Sequence, residues 1–88
     1  MKPWDLIVLD WTAHALERAV ERGIGLQQIC HVVWFARKSP SPERRTRCRL
    51  DGRAVRAARC EGLDIAALLG LVVVLEGLVV VTVFWEGR

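Results

Sequence analysis

The stretch from Leu71 to Trp85 constrains the fold more than any other part of the chain. Its fifteen residues include seven valines and one charge, Glu76. Runs of β-branched residues suit a pleated surface and lose side-chain freedom in a helix. Glu76-Gly77 breaks the run as a turn, so the sequence predicts two adjacent strands, Leu71–Leu75 and Leu78–Trp85, each buried on at least one face. The wider apolar segment Leu63–Trp85 carries Asp64, Glu76 and Gly77, and its valine content fits strands better than a membrane span.

A chain of 88 residues makes one small domain, expected over 1–88, with a modest core that oligomerisation would help to complete. The hydrophobic fraction of 52% excludes disorder of the whole chain. Asp5 and Asp10 interrupt the N-terminal apolar run, which is not the pattern of a signal peptide. Cys30, Cys48 and Cys60 are odd in number and form no C-x-x-C pair, so neither a zinc site nor a disulfide framework is expected. Small buried thiols in a reducing cytoplasm are the simplest reading, with no metal and no cofactor.

The segment His14–Ile24 reads as an amphipathic helix with its own stop. Ala13, Ala15, Leu16, Ala19 and Val20 fall on one side of a helical wheel; His14, Glu17, Arg18, Glu21 and Arg22 fall on the other. Thr12 is placed to cap the start, and Gly23 supplies the left-handed residue that ends the helix. A short strand over Leu6–Leu9 is expected before it, and a second helix over Leu26–Arg37 after it. Ile29, Cys30 and Val33 continue the buried face begun by Leu26. Val32, Trp34, Phe35 and Ala36 make its C-terminal half apolar nearly all round, which implies deep burial or a subunit contact.

Ser39-Pro40-Ser41-Pro42 then reads as an exposed, extended connector. Asp51-Gly52 is the strongest turn signal in the chain and predicts a hairpin joining about 44–50 to 53–59. In that register Arg45, Arg47, Arg49 and Arg56 share one face. The alanines and leucines of 53–69 support partial helix as the competing arrangement, and 61–70 reads as a loop with one helical turn. The expected fold is α+β: a short N-terminal strand and two helices packed on one face of an antiparallel β-meander.

Charge is unevenly placed. Residues 37–59 carry nine basic side chains against Glu43 and Asp51, a net +7, whereas the rest of the chain is −4. Arginine dominates, and its planar fork suits phosphate or carboxylate. Arg45, Arg47, Arg49 and Arg56 are therefore candidate nucleic-acid contacts; a solvated strand face or a docking surface for an acidic protein are the alternatives. His14, Arg18 and Arg22 form one row at i, i+4 and i+8. As an exposed face they would exchange weak ion pairs with Glu17 and Glu21. As a site, His14 would move a proton near neutral pH while the arginines stabilise a phosphate transition state, which is what metal-independent RNA cleavage requires. His31, flanked by apolar residues, is a lesser candidate.

The pattern His14-Ala15-x-x-Arg18-x-x-x-Arg22-Gly23-Ile24 resembles the signature of a small bacterial domain, the domain of unknown function 4258, and Val81-Thr82-Val83-Phe84 resembles its closing strand. The resemblance covers about residues 6–85. It implies a RelE/ParE-like toxin fold, a superfamily that includes ribosome-dependent ribonucleases and gyrase inhibitors. It places His14, Arg18, Arg22 and Thr82 on signature positions. The chain departs from many RelE-type nucleases in having no tyrosine. Two functions are therefore expected in competition. One is a toxin-type RNA-binding protein or endoribonuclease acting on RNA or the ribosome. The other is a non-catalytic interaction module that forms a homodimer or a heteromer with an acidic antitoxin, using the apolar helix end, Phe84 and Trp85.

Overall fold

The computed structural model describes residues 2–86, so both ends of the expected 1–88 domain lie outside the described residues. The fold is α+β, with three α-helices and one mixed five-stranded sheet. A 3₁₀ turn, Pro3–Leu6, opens the chain. It is followed by strand β1 (Asp10–Trp11), helices α1 (Ala13–Glu21) and α2 (Leu26–Phe35), and strands β2 (Arg37–Ser41) and β3 (Arg45–Arg49). Helix α3 (Gly52–Cys60), a second 3₁₀ turn at Ala66–Leu68, and strands β4 (Leu71–Glu76) and β5 (Val79–Trp85) complete it. The sheet order is β1-β5-β4-β3-β2; every pair is antiparallel except β1 with β5.

The valine strands form as the β-branched run predicts. All five residues of Leu71–Leu75 are buried, because β4 is central and covered on both faces. Leu71, Val73 and Leu75 join Val80 and Val83 of β5 and Cys48 of β3 in one core with Ala15, Ala19, Ile29, Val32, Ala54 and Ala58 of the helices. All three helices therefore lie on one side of the sheet. Helix α1 starts and stops where the sequence requires. Thr12 Oγ1 accepts from Ala15 N at 3.0 Å and donates to Val81 O at 3.1 Å, which ties the cap to β5. Gly23 takes φ 65°.

Several expectations are corrected. Leu6–Leu9 forms no strand: Pro3 favours a helical first turn, and pairing begins only where Asp10 and Trp11 reach Val79 and Val80. On α1, only Ala15 and Ala19 are buried, while Leu16 and Val20 are exposed, because a short helix over β5 touches the sheet along a narrow stripe. Arg37 belongs to β2 rather than to the second helix. Ser39-Pro40-Ser41 is not a bare connector but most of β2. The prolines hold the chain extended, and β2 is an edge strand, where a missing N–H is tolerated.

Asp51-Gly52 is not a hairpin tip. Asp51 caps α3, its Oδ1 accepting from Ala54 N at 2.9 Å. Asp serves a helix N-terminus as readily as a turn, and the alanines beyond it favour the helix. The partner of β3 is instead β2, joined by a three-residue loop in which Glu43 and Arg44 take φ 65° and 60°. Last, β1 covers β5 only at its start, where Asp10 and Trp11 pair with Val79 and Val80. Val32 and Ala36 are buried in the chain's own core, and Phe35 packs on Trp4 with ring centroids 5.2 Å apart; of that helix end only Trp34 remains exposed. Among the described residues no helix is long and apolar enough to cross a membrane.

The capping role of Asp51 has a measurable consequence. Asp51→Ala should lower stability by about 1 kcal/mol, and Asp51→Ser should restore most of it. The denaturant midpoint should fall at unchanged slope. No change in midpoint for Asp51→Ala would refute the cap.

Candidate nucleic-acid interface

Strand β3 reads Arg-Thr-Arg-Cys-Arg, and period-two alternation decides where each side chain goes. Cys48 is fully buried against the helices, which puts Arg45, Arg47 and Arg49 on the opposite, helix-free side. The register places Ser41, Ser39 and Arg37 of β2 beside them in turn, and Val74 and Val72 of β4 beside Arg47 and Arg49. Thr82 and Phe84 of β5 continue the rows from Val74 and Val72. Val72 and Val74 are buried although no helix covers them. The neighbouring strands place Arg47 and Thr82 beside Val74, and Arg49 and Phe84 beside Val72, on this face.

This face already binds an oxyanion. Glu86 Oε2 lies 2.7 Å from Arg47 Nη2, and Glu86 Oε1 lies 3.3 Å from Arg49 Nη1. The Arg47 guanidinium stands 5.3 Å over the Phe84 ring. Arg45 pairs with Glu43 at 3.4 Å and approaches Glu76 at 4.0 Å. An open recess of about 340 Å³ lies between Arg45, Arg47, Thr82 and Phe84, with Ser41, Pro42, Glu43 and Val74 completing its wall. Glu86 is held by its backbone: its N–H donates to Gly70 O at 2.8 Å. Gly70 has φ 90°, and a Cβ there would stand 3.0 Å from Glu86 O.

The four arginines expected to share a face are thus divided. Arg45, Arg47 and Arg49 are together. Arg56 is exposed on α3, on the helix side of the sheet, because 52–60 is helical. His14 is exposed in the first turn of α1, and α1 packs on β5 from the helix side. Arg18 and Arg22 both face Glu21, with Arg22 Nη1 at 3.7 Å from its carboxylate. The His14 row and the β3 arginines therefore sit on opposite faces of the sheet and cannot grip the same phosphate. Burial lowers the His31 pKa, with Asp5 opposing the shift, and its Nε2 is buried without a hydrogen-bond partner. Of the thiols, all free, only Cys48 is fully buried, and burial raises its pKa; Cys60 is exposed on α3.

Phe84, Thr82, Ser41 and Glu86 belong to this face without having been singled out for it from the sequence. The alternation in Thr82-Val83-Phe84 carried the signal for two of them: with Val83 inward, Thr82 and Phe84 face out. Compared with protein-family models, curated proteins and solved structures, the chain matches none.

Two substitutions test this geometry. Gly70→Ala should cost about 1–2 kcal/mol, since it strains a left-handed residue and presses on backbone that cannot yield. His14→Ala should leave stability within about 0.5 kcal/mol, as an exposed side chain without a resolved partner. Thermal or denaturant unfolding checks both. A neutral Gly70→Ala would contradict the close approach of Gly70 and Glu86.

Proposed function

We propose that this chain is a RelE-like RNA-binding protein whose helix-free sheet face holds the phosphate backbone. The observation that carries the reading is the row Arg45, Arg47, Arg49 on one open face, with the Glu86 carboxylate seated on two of them. The row steps by two residues, about 7 Å, a spacing comparable to that of successive phosphates along an extended strand. The resemblance of the His14–Ile24 helix and the Val81–Phe84 strand to the 4258 domain supports the same superfamily.

Binding without cleavage by His14 is the form we favour. The His14 row lies on the other side of the sheet from the arginine face, and both its arginines pair with the one carboxylate of Glu21. RNA cleavage by the purified protein, with ribosomes present and lost in a folded His14→Ala variant, would overturn that preference.

RNA affinity should fall as salt rises. Three phosphate contacts on a single strand correspond to a log–log slope of roughly −2. Replacing Arg45, Arg47 and Arg49 together by Gln should abolish most binding, whereas Arg56→Gln alone should change little. Glu86→Gln removes the internal competitor and should strengthen binding by up to about fivefold, the scale of about 1 kcal/mol for a half-exposed ion pair. Titrations by fluorescence anisotropy measure all three. Binding that ignores salt, or survives the triple replacement, would refute the proposal.

A second reading, a protein-interaction module, is favoured by one observation. An open groove of about 600 Å³ near the N-terminus is lined by Trp4, Ile7, Val8, Leu9, Trp11 and Leu26, and Val8 is 79% exposed. Sedimentation showing a stable dimer that Val8→Asp dissociates would support it.

A further inference from the structure

We infer that the outer face of α3 is a second polyanion surface, one that docks in the major groove of a B-form DNA duplex. It lies on the helix side of the sheet and does not depend on the reading of the β3 face.

The observation that carries the inference is where positive charge is left uncompensated. Each arginine of the β3 row has a carboxylate beside it. On α3 the reverse holds: among the described residues Arg53, Arg56 and Arg59 form no ion pair. Asp51 is engaged in the helix cap, accepting from Ala54 N at 2.9 Å, and Glu61 stands beyond the last turn. All three arginines are exposed, while Ala54, Val55 and Ala58 hold the opposite side of the helix in the core. Arg37, likewise without an ion pair, lines an open recess of about 380 Å³ with Arg53 and Ala57 and extends the basic surface toward β2.

The placement of the arginines selects a duplex. At about 100° per residue, Arg53 and Arg59 stand about 120° apart around the helix, with Arg56 midway. Their guanidinium groups reach to both flanks, which suits the two phosphate rails of a groove; a single strand offers one. The other outward residues, Gly52, Ala57 and Cys60, are small and let the helix approach closely. A helix with its side chains is about 10–12 Å across, and the B-form major groove, about 12 Å wide, admits it. The major groove of an RNA duplex is too deep and narrow. A protein partner would need an apolar anchor at the centre of the patch, and this face offers only Ala57 and Cys60.

Anisotropy titrations with a short labelled DNA duplex test the inference. Three phosphate contacts correspond to a log–log salt slope of roughly −3. At about 0.1 M salt, replacing Arg53, Arg56 and Arg59 together by Gln should weaken duplex binding by about tenfold or more and flatten that slope. The corresponding Lys variant keeps the charges and should bind within about fivefold of the parent. Replacing Arg45, Arg47 and Arg49 by Gln should change duplex binding by less than about threefold, since exposed charges are screened beyond about 10 Å. Cys60 is exposed on the same face and reports docking in the unmutated protein. Saturating duplex should slow its alkylation severalfold relative to that of Cys30, read by mass spectrometry; this arm decides the matter if the Gln variant fails to fold. Duplex binding that survives the α3 Gln replacement, or Cys60 reactivity that saturating duplex leaves unchanged, would overturn the inference. So would an RNA duplex that binds as tightly as the DNA. Displacement of the duplex by polyglutamate as readily as by unlabelled duplex would overturn it in favour of an acidic protein.

Discussion

The double-sided burial of β4 is the constraint on which the rest of the structure depends. Five consecutive apolar residues, Leu71–Leu75, occupy the middle of the sheet, and each face must be covered. On one side the helices do this, with Ala15, Ala19, Ile29, Val32, Ala54 and Ala58 packed on Leu71, Val73 and Leu75. Burying a valine or leucine side chain contributes about 1.5–3 kcal/mol, so the inward row alone gives the helices strong reason to dock. On the other side no helix is available. Val72 and Val74 are kept from water by side chains that rise from the neighbouring strands.

That second cover explains why the basic face takes the form it does. Arginine stems shield apolar surface while their charged ends stay accessible. Period-two alternation on β3 places three of them side by side, and Arg47 reaches diagonally across β4 to stand over the Phe84 ring. Like charges so close repel unless anions intervene. Here Glu86, Glu43 and Glu76 supply carboxylates at the margins. Packing and charge are thus consequences of one alternating pattern; on the RNA-binding reading we propose, a bound strand would replace internal anions rather than fill an empty field.

Features governed by local periodicity were legible in the sequence. The valine strands, the turn after Glu76, the bodies of α1 and α2, the Thr12 cap and the Gly23 stop all follow from neighbouring residues. What was not legible required knowledge of partners. Asp-Gly is both a hairpin tip and a helix start, and only packing of Ala54, Val55 and Ala58 against the core selects the helix. Strand β2 is concealed in Ser-Pro repeats because its pairing depends on being an edge. The true β2–β3 loop carries Glu43 and Arg44 at positive φ, positions that usually announce themselves as glycine or asparagine. The site was divided in the same way. Arg45, Arg47 and Arg49 were legible from alternation within one strand. Arg56 was misplaced with the hairpin, and Glu86 could be found only from the path of the chain past Gly70.

The most direct test of the account is backbone and arginine side-chain NMR of the labelled protein during titration with a short RNA single strand. The account predicts perturbations confined to β3, the facing parts of β4 and β5, and the Nε–H signals of Arg45 and Arg47. Perturbations centred instead on α1, from His14 to Arg22, with the β3 arginines unmoved, would contradict it.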